Sequence, residues 1–203
     1  MKREEFSQKI GNFWFYYKWY LLGGLLLFGA LTVAINSCQK KENPDLYVLY
    51  ARDTAPDPLQ VEGLEGWLGT LTEDVNGDDK TTAMVVATST IDQWNGSDSS
   101  AMLVQVNSGS AVLYLLNDAT YETLHNNGVL QDLSSLGDSP YLEGDRFRLS
   151  ASGALGNITE FPQEGQNFYL CMRKVEGTTF EGKPKYETQQ RLAKEVIGKL
   201  IAT

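Results

Sequence analysis

The 203-residue sequence holds one histidine, His125, and two cysteines, Cys38 and Cys171. A single imidazole excludes a zinc centre built mainly from histidines, and any catalytic triad would depend on that one residue. His125 falls near the C-terminal end of an expected helix, where a histidine ordinarily complements the helix dipole. Two cysteines in unlike contexts, with no C-x-x-C, are too few for a disulfide framework. G-x-S-x-G, H-E-x-x-H, the phosphate-binding loop and G-x-G-x-x-G are all missing. Basic charge is scarce as well. The 17 Lys and Arg residues face 26 Asp and Glu, for a formal net charge of −9. Nucleic-acid binders carry a basic face, so that partner class is excluded. These absences predict a non-enzymatic chain without a resident cofactor.

The basic residues that exist are unevenly placed. Lys2, Arg3, Lys9 and Lys18 stand against Glu4 and Glu5, so residues 1–18 carry +2 and the remainder −11. Residues 19–37 form the one long apolar run. Its core, Trp19 to Ile35, has no charged residue, and as a helix it spans roughly 26 Å, enough to cross a bilayer core. The run Phe13-Trp14-Phe15-Tyr16-Tyr17-Lys18-Trp19-Tyr20 precedes it. Such a collar suits the head-group level, where a ring's apolar body and polar edge are both satisfied. The pattern predicts a transmembrane helix over 19–37, with residues 1–18 as a cytoplasmic tail under the positive-inside rule. A second route stays open. Ala34-Ile35-Asn36-Ser37-Cys38 is similar to a bacterial lipobox, in which Cys38 would become a lipidated N-terminus. Both routes tether the rest of the chain to the outer face of the cell membrane.

Residues 38–44 read as a polar linker closed by Pro44, and residues 45–203 as the extracellular domain. Asp45–Ala51, Thr81–Thr90, Ala111–Leu116, Arg146–Ala151 and Asn167–Lys174 have the β-branched, aromatic or continuous apolar character of strands. Leu59–Leu71, Ser99–Gly109, Ala119–Asn127 (with Asp118 as its cap) and Lys183–Thr203 have helical spacing. The order β-α-β-α-β-α-β-β-α predicts an α/β domain. It is expected as three layers, with a mostly parallel sheet of about five strands and helices on both faces.

Two places invite a ligand. In open α/β sheets, ligands sit beyond the carboxyl ends of the strands. Those positions are Arg52 and Asp53, Thr88, Ser89 and Thr90, and Asn117 and Asp118. The second place is Asp74-Val75-Asn76-Gly77-Asp78-Asp79-Lys80, whose alternating oxygens at Asp74, Asn76 and Asp78 follow the opening of a calcium loop. Asp79 stands at the sharp-turn glycine and Val85 at the bidentate carboxylate, so the competing expectation is an acidic turn.

From Leu103 to Leu136 the sequence resembles the first lobe of bacterial extracellular solute-binding proteins. Asn107-Ser108-Gly109 ends a helix, Ala111–Leu116 is the apolar strand, and Gly128-Val129-Leu130-Gln131-Asp132-Leu133 matches a G-x-L-x-D-L segment. Arg146–Ala151 and Phe168–Lys174 are similar to the strands that lead such lobes to their hinge. The chain is also similar to a family of small membrane-anchored proteins of Gram-positive gut bacteria. Solute-binding proteins clamp ligand between two lobes, whereas the likeness here covers one. The leading expectation is therefore a tethered domain that binds a protein partner. The alternative is a reduced solute-binding lobe serving a transporter or a sensor.

Overall fold

A computed structural model describes residues 14, 17–20, 22–29, 43–89, 99–158, 161 and 166–202. The chain divides into two units, Met1–Asn43 and Pro44–Thr203. In the first, residues 17–20 and 22–29 are helical and carry exposed apolar side chains, Leu25 and Leu26 each 73% exposed. Among the described residues no helix is long and apolar enough to cross a membrane. Residues 21 and 30–37 of the expected span lie outside those described, as does Cys38.

The second unit is α/β, built on a six-stranded mixed sheet in the order β2-β1-β3-β6-β5-β4. The strands are β1 (Leu46–Arg52), β2 (Ala83–Ser89), β3 (Leu113–Asn117), β4 (Leu142–Glu143), β5 (Arg146–Arg148) and β6 (Phe168–Met172). Among the described residues four α-helices accompany them: α1 (Pro58–Leu71), α2 (Ser99–Ser108), α3 (Asp118–Asn126) and α4 (Pro184–Ile201). Strand β1 lies inside the sheet and is apolar on both faces. Leu46, Val48 and Tyr50 enter one core cluster with Leu64 and Leu68 of α1 and Leu192 and Val196 of α4. Leu49 and Ala51 enter the opposite cluster with Met102 and Val106 of α2 and Tyr121 and Leu124 of α3. Helices thus lie on both faces of the sheet.

The expected mostly parallel sheet is corrected. Only the β2–β1 and β1–β3 pairs are parallel, and β6, β5 and β4 join by antiparallel pairs. The reason lies in the connections. A parallel neighbour needs a crossover to the far end of the sheet. The segment after β5 instead returns to the end it left, so Arg148 faces Tyr169. Strands β4 and β5 form a hairpin around Gly144, whose φ of +59° suits a tight turn without a Cβ. The sixth strand, β4, has only two residues and leaves no periodic trace in the sequence.

The helix starts explain local choices. Asp57 caps α1, its Oδ1 accepting the Leu59 N–H at 2.9 Å, and Pro58 occupies the first turn, where no N–H is needed. The cap of α3 is Asn117, not the expected Asp118. Asn117 Oδ1 accepts from Thr120 N at 3.2 Å, and Thr120 Oγ1 accepts the Asn117 N–H at 3.1 Å, closing a capping box. In α4, Gln189 clamps the entry to β1. Its Nε2 donates to Asp45 O at 2.5 Å, and its Oε1 accepts the Tyr47 N–H at 2.8 Å.

Candidate functional site

Helix α1 leaves β1 toward one face of the sheet and α3 leaves β3 toward the other, so the carboxyl ends of β1 and β3 flank the point where ligands enter such sheets. Here the structure gathers most of the residues expected at that edge. Arg52 Nη1 reaches Tyr50 Oη at 3.5 Å and Gln60 Oε1 at 3.4 Å, and its Nη2 donates to Gln166 Oε1 at 3.1 Å. Asn117 Nδ2 donates to Asp53 Oδ1 at 2.8 Å, tying the two strand ends together. Thr120 Oγ1 donates to Ala51 O at 2.9 Å, joining the first turn of α3 to β1. Thr88 and Ser89 lie beside Ala51 and Arg52 in the register, both partly buried. Thr90 lies outside the described residues. Burial raises the Tyr50 hydroxyl, with Arg52 partly opposing. The Nε of Arg52 is buried and has no partner among the described residues.

Asp118 turns toward β6 instead. Its carboxylate accepts from Tyr169 Oη at 2.6 Å and from Asn167 Nδ2 at 3.1 Å. That contact joins the strand ends to a second group of residues. Tyr169 packs on Tyr121 with ring centroids 5.1 Å apart, and the Arg146 guanidinium lies 4.8 Å from the Tyr121 ring and 4.9 Å from the Tyr169 ring. Asp145 accepts from Tyr121 Oη at 2.9 Å and pairs with His125 Nδ1 at 2.7 Å, while the His125 ring stacks on Tyr121. Glu143 binds both Arg146 and Arg148, at 2.9 and 3.1 Å. Strands β4 and β5 contribute nothing to the apolar cluster on this face, so Arg146, Glu143 and Arg148 stay partly exposed. Sequence reasoning missed this patch. Its partners are distant in the chain, and its one local sign is the Arg-Phe-Arg alternation around buried Phe147.

Among the described residues no group of three or more His, Cys, Asp or Glu side chains is arranged to hold a metal ion. The acidic loop spends its oxygens on its own backbone. Asp74 accepts from Gly77 N and Asp79 N at 2.7 and 2.9 Å, Asn76 from Asp78 N at 2.9 Å, and Asp78 from Lys80 N at 3.0 Å. Asp79 takes φ +61°, the left-handed backbone that a calcium loop reserves for glycine. Cys171 is buried between the sheet and α3, and burial pushes its thiol well up. A groove of about 560 Å³ runs beside α1 and the end of α4, bordered by Trp67, Tyr141, Asp138 and Asn157. No protein-family model, curated protein or solved structure matches the chain.

Proposed function

We propose that this chain is a membrane-anchored extracytoplasmic domain that binds a protein partner. The observation that carries the binding reading is Arg146, stacked on Tyr121 and Tyr169 and ion-paired to Glu143. Arginine and tyrosine dominate the energetics of protein interfaces, and a guanidinium already held by two rings loses little freedom on binding. The anchor reading is supported by residues 22–29, a helical run with large exposed apolar side chains, a surface that water does not tolerate at that density. The basic tail assigns the N-terminus to the cytoplasm and residues 45–203 to the outside. Chemistry is not assigned to the patch, because its hydroxyl, imidazole and carboxylate groups are engaged with one another rather than with an open reaction space.

A photo-crosslinker placed at His125 in native membranes tests this. It is expected to trap one protein whose affinity, measured after reconstitution, falls about tenfold or more with Arg146→Ala. Recovery of the unmodified chain in the supernatant of a detergent-free lysate would remove the anchor. An affinity unchanged by Arg146→Ala would remove the patch.

A second reading has its own support. The buried Nε of Arg52, at the carboxyl end of β1 and without a partner among the described residues, favours a reduced solute-binding lobe, tethered through the helix or through a lipidated Cys38. A small carboxylate that raises the melting temperature of the wild type, but not of Arg52→Gln, is the expected sign, since binding only the folded state stabilises it.

A further inference from the structure

The two edges of the sheet are unlike. At one end β4 is two residues long, and at the other β2 runs for seven, with the sequence AMVVATS. Natural sheets protect their edges with short strands, charged side chains or proline. The β2 sequence itself carries none of these, although Glu65 of α1 reaches its edge, and Met84 on it is 44% exposed.

The register decides which backbone groups face outward. The Leu46 N–H donates to Thr82 O at 3.2 Å, and Leu46 is paired with Ala83. In a parallel ladder this turns the even-numbered residues of β2 toward β1 and leaves Ala83, Val85 and Ala87 facing away from the sheet. The Val85 N–H confirms it, donating off the sheet to Glu65 Oε1 of α1 at 2.8 Å. Among the described residues the Ala87 N–H and the outward carbonyls of Ala83, Val85 and Ala87 have no acceptor or donor. A row of such groups is the template for strand addition.

We propose that β2 receives an extended peptide segment of a protein partner as a seventh strand, with a basic side chain of that segment set against Glu65. This deepens the protein-binding reading and rests on it for the class of partner. Charge selects the occupant. Glu65 sits on the open edge, and Glu62 lies exposed on the same helix. Two copies of this acidic chain joined β2 to β2 across a twofold axis would oppose like charges at the seam, whereas a segment with lysine or arginine at that position gains an opposite charge.

The test uses the full-length chain in detergent micelles and a fluorescent heptapeptide, TVKVTVT, with an alternately N-methylated version as control. Bound peptide is expected to slow amide exchange at Ala87 about tenfold. The methylated control is expected to leave exchange unchanged. Ala87→Pro is expected to abolish peptide binding with an unchanged circular dichroism spectrum, since proline is tolerated where the strand N–H faces away from the ladder. Glu65→Gln keeps an acceptor for Val85 N–H, and is expected to erase most of the preference for TVKVTVT over TVQVTVT. Three results would overturn the inference: an Ala87 amide that exchanges as slowly as those of β1 without peptide, a concentration-dependent dimer that protects Ala87, or no peptide-dependent protection at all. The crosslinking test at His125 does not involve β2, so a partner trapped there with no protection at Ala87 sinks this inference alone.

Discussion

The carboxylate of Asp45 holds the chain leading into β2, accepting the Thr82 N–H at 2.9 Å through Oδ2. Its Oδ1 accepts the N–H groups of Val75 and Asn76 at 2.8 and 3.1 Å. One buried side chain at the mouth of β1 thereby fixes both ends of the acidic 74–80 loop. Burial alone would push this carboxyl up, but the three backbone donors and the Thr82 hydroxyl outweigh it and hold the group below the usual range. A depressed folded-state value stabilises the fold above the ordinary carboxylate range of about 3.9 and loses that contribution as pH falls through the folded value. Asp45→Asn is expected to cost about 2 kcal/mol at neutral pH, the scale of charged hydrogen bonds. Its deficit in urea melts should shrink as both proteins are taken below pH 4. A deficit that stays constant with pH would mean that the ionised form is not what the loop requires.

Two glycines of α1 make opposite predictions. A Cβ at Gly66 meets nothing within 4 Å, while one at Gly69 would lie 3.1 Å from the Thr81 carbonyl oxygen. Glycine inside a helix costs roughly 0.5–1 kcal/mol relative to alanine. Gly66→Ala should therefore raise stability by about that amount. Gly69→Ala should lose the same gain to the contact with Thr81, whose neighbour Thr82 is held by Asp45. Paired thermal melts decide it, and equal melting temperatures for the two variants would refute the account.

Sequence periodicity carried the parts of the fold that are local. The spacing of Leu192, Ala193, Val196 and Ile197 marks the face that α4 buries, and the unbroken apolar run from Leu46 to Ala51 marks a strand covered on both sides. It failed where a decision is made by distant pairing. Nothing local says that β6 enters between β3 and β5, or that β5 and β6 are joined without a crossover. The strand ends were legible, and the structure ties Asp53 to Asn117 there beside Arg52, whereas Asp118 turns to Tyr169. The tyrosine–arginine patch was not, because Tyr121, Arg146 and Tyr169 come from a helix and two strands. The cap of α3 was misread by one residue. Asn117 and Asp118 are both good caps, and only the Thr120 hydroxyl, closing the box on Asn117, separates them.

Two buried tyrosines differ in whether their hydroxyls have a partner. Tyr169 donates to Asp118 at 2.6 Å, whereas the Tyr114 hydroxyl has none among the described residues. Burial pushes both up to about 12, with the Asp118 hydrogen bond adding to the rise at Tyr169. A raised folded-state value stabilises fully below the ordinary tyrosine value of about 10, and that stabilisation is lost as pH climbs toward 12. Tyr169→Phe is expected to cost about 1 kcal/mol at pH 8, with the deficit closing between pH 10 and about 12. Tyr114→Phe removes an unsatisfied hydroxyl and should be neutral or stabilising at pH 8. Loss of stability in Tyr114→Phe at that pH would show that its hydroxyl is bonded after all.

Arg146 is the residue whose replacement separates stacking from charge. Its guanidinium is planar and lies within 5 Å of two tyrosine rings, and it also pairs with Glu143. Arg146→Lys keeps the charge but loses the flat surface that rests on the rings. Arg146→Ala loses both. A cation over an aromatic face is worth roughly 0.5–1 kcal/mol at a partly exposed site, and an exposed ion pair contributes about as little or less. Lysine is therefore expected to recover only a minor part of what alanine loses, in stability and in affinity for the crosslinked partner alike. A double-mutant cycle of Arg146→Ala with Tyr169→Leu measures the stacking directly, and a coupling energy near zero would leave Arg146 as an ordinary surface charge. Full recovery by lysine would make charge, not the sandwich of rings, the property that the partner reads.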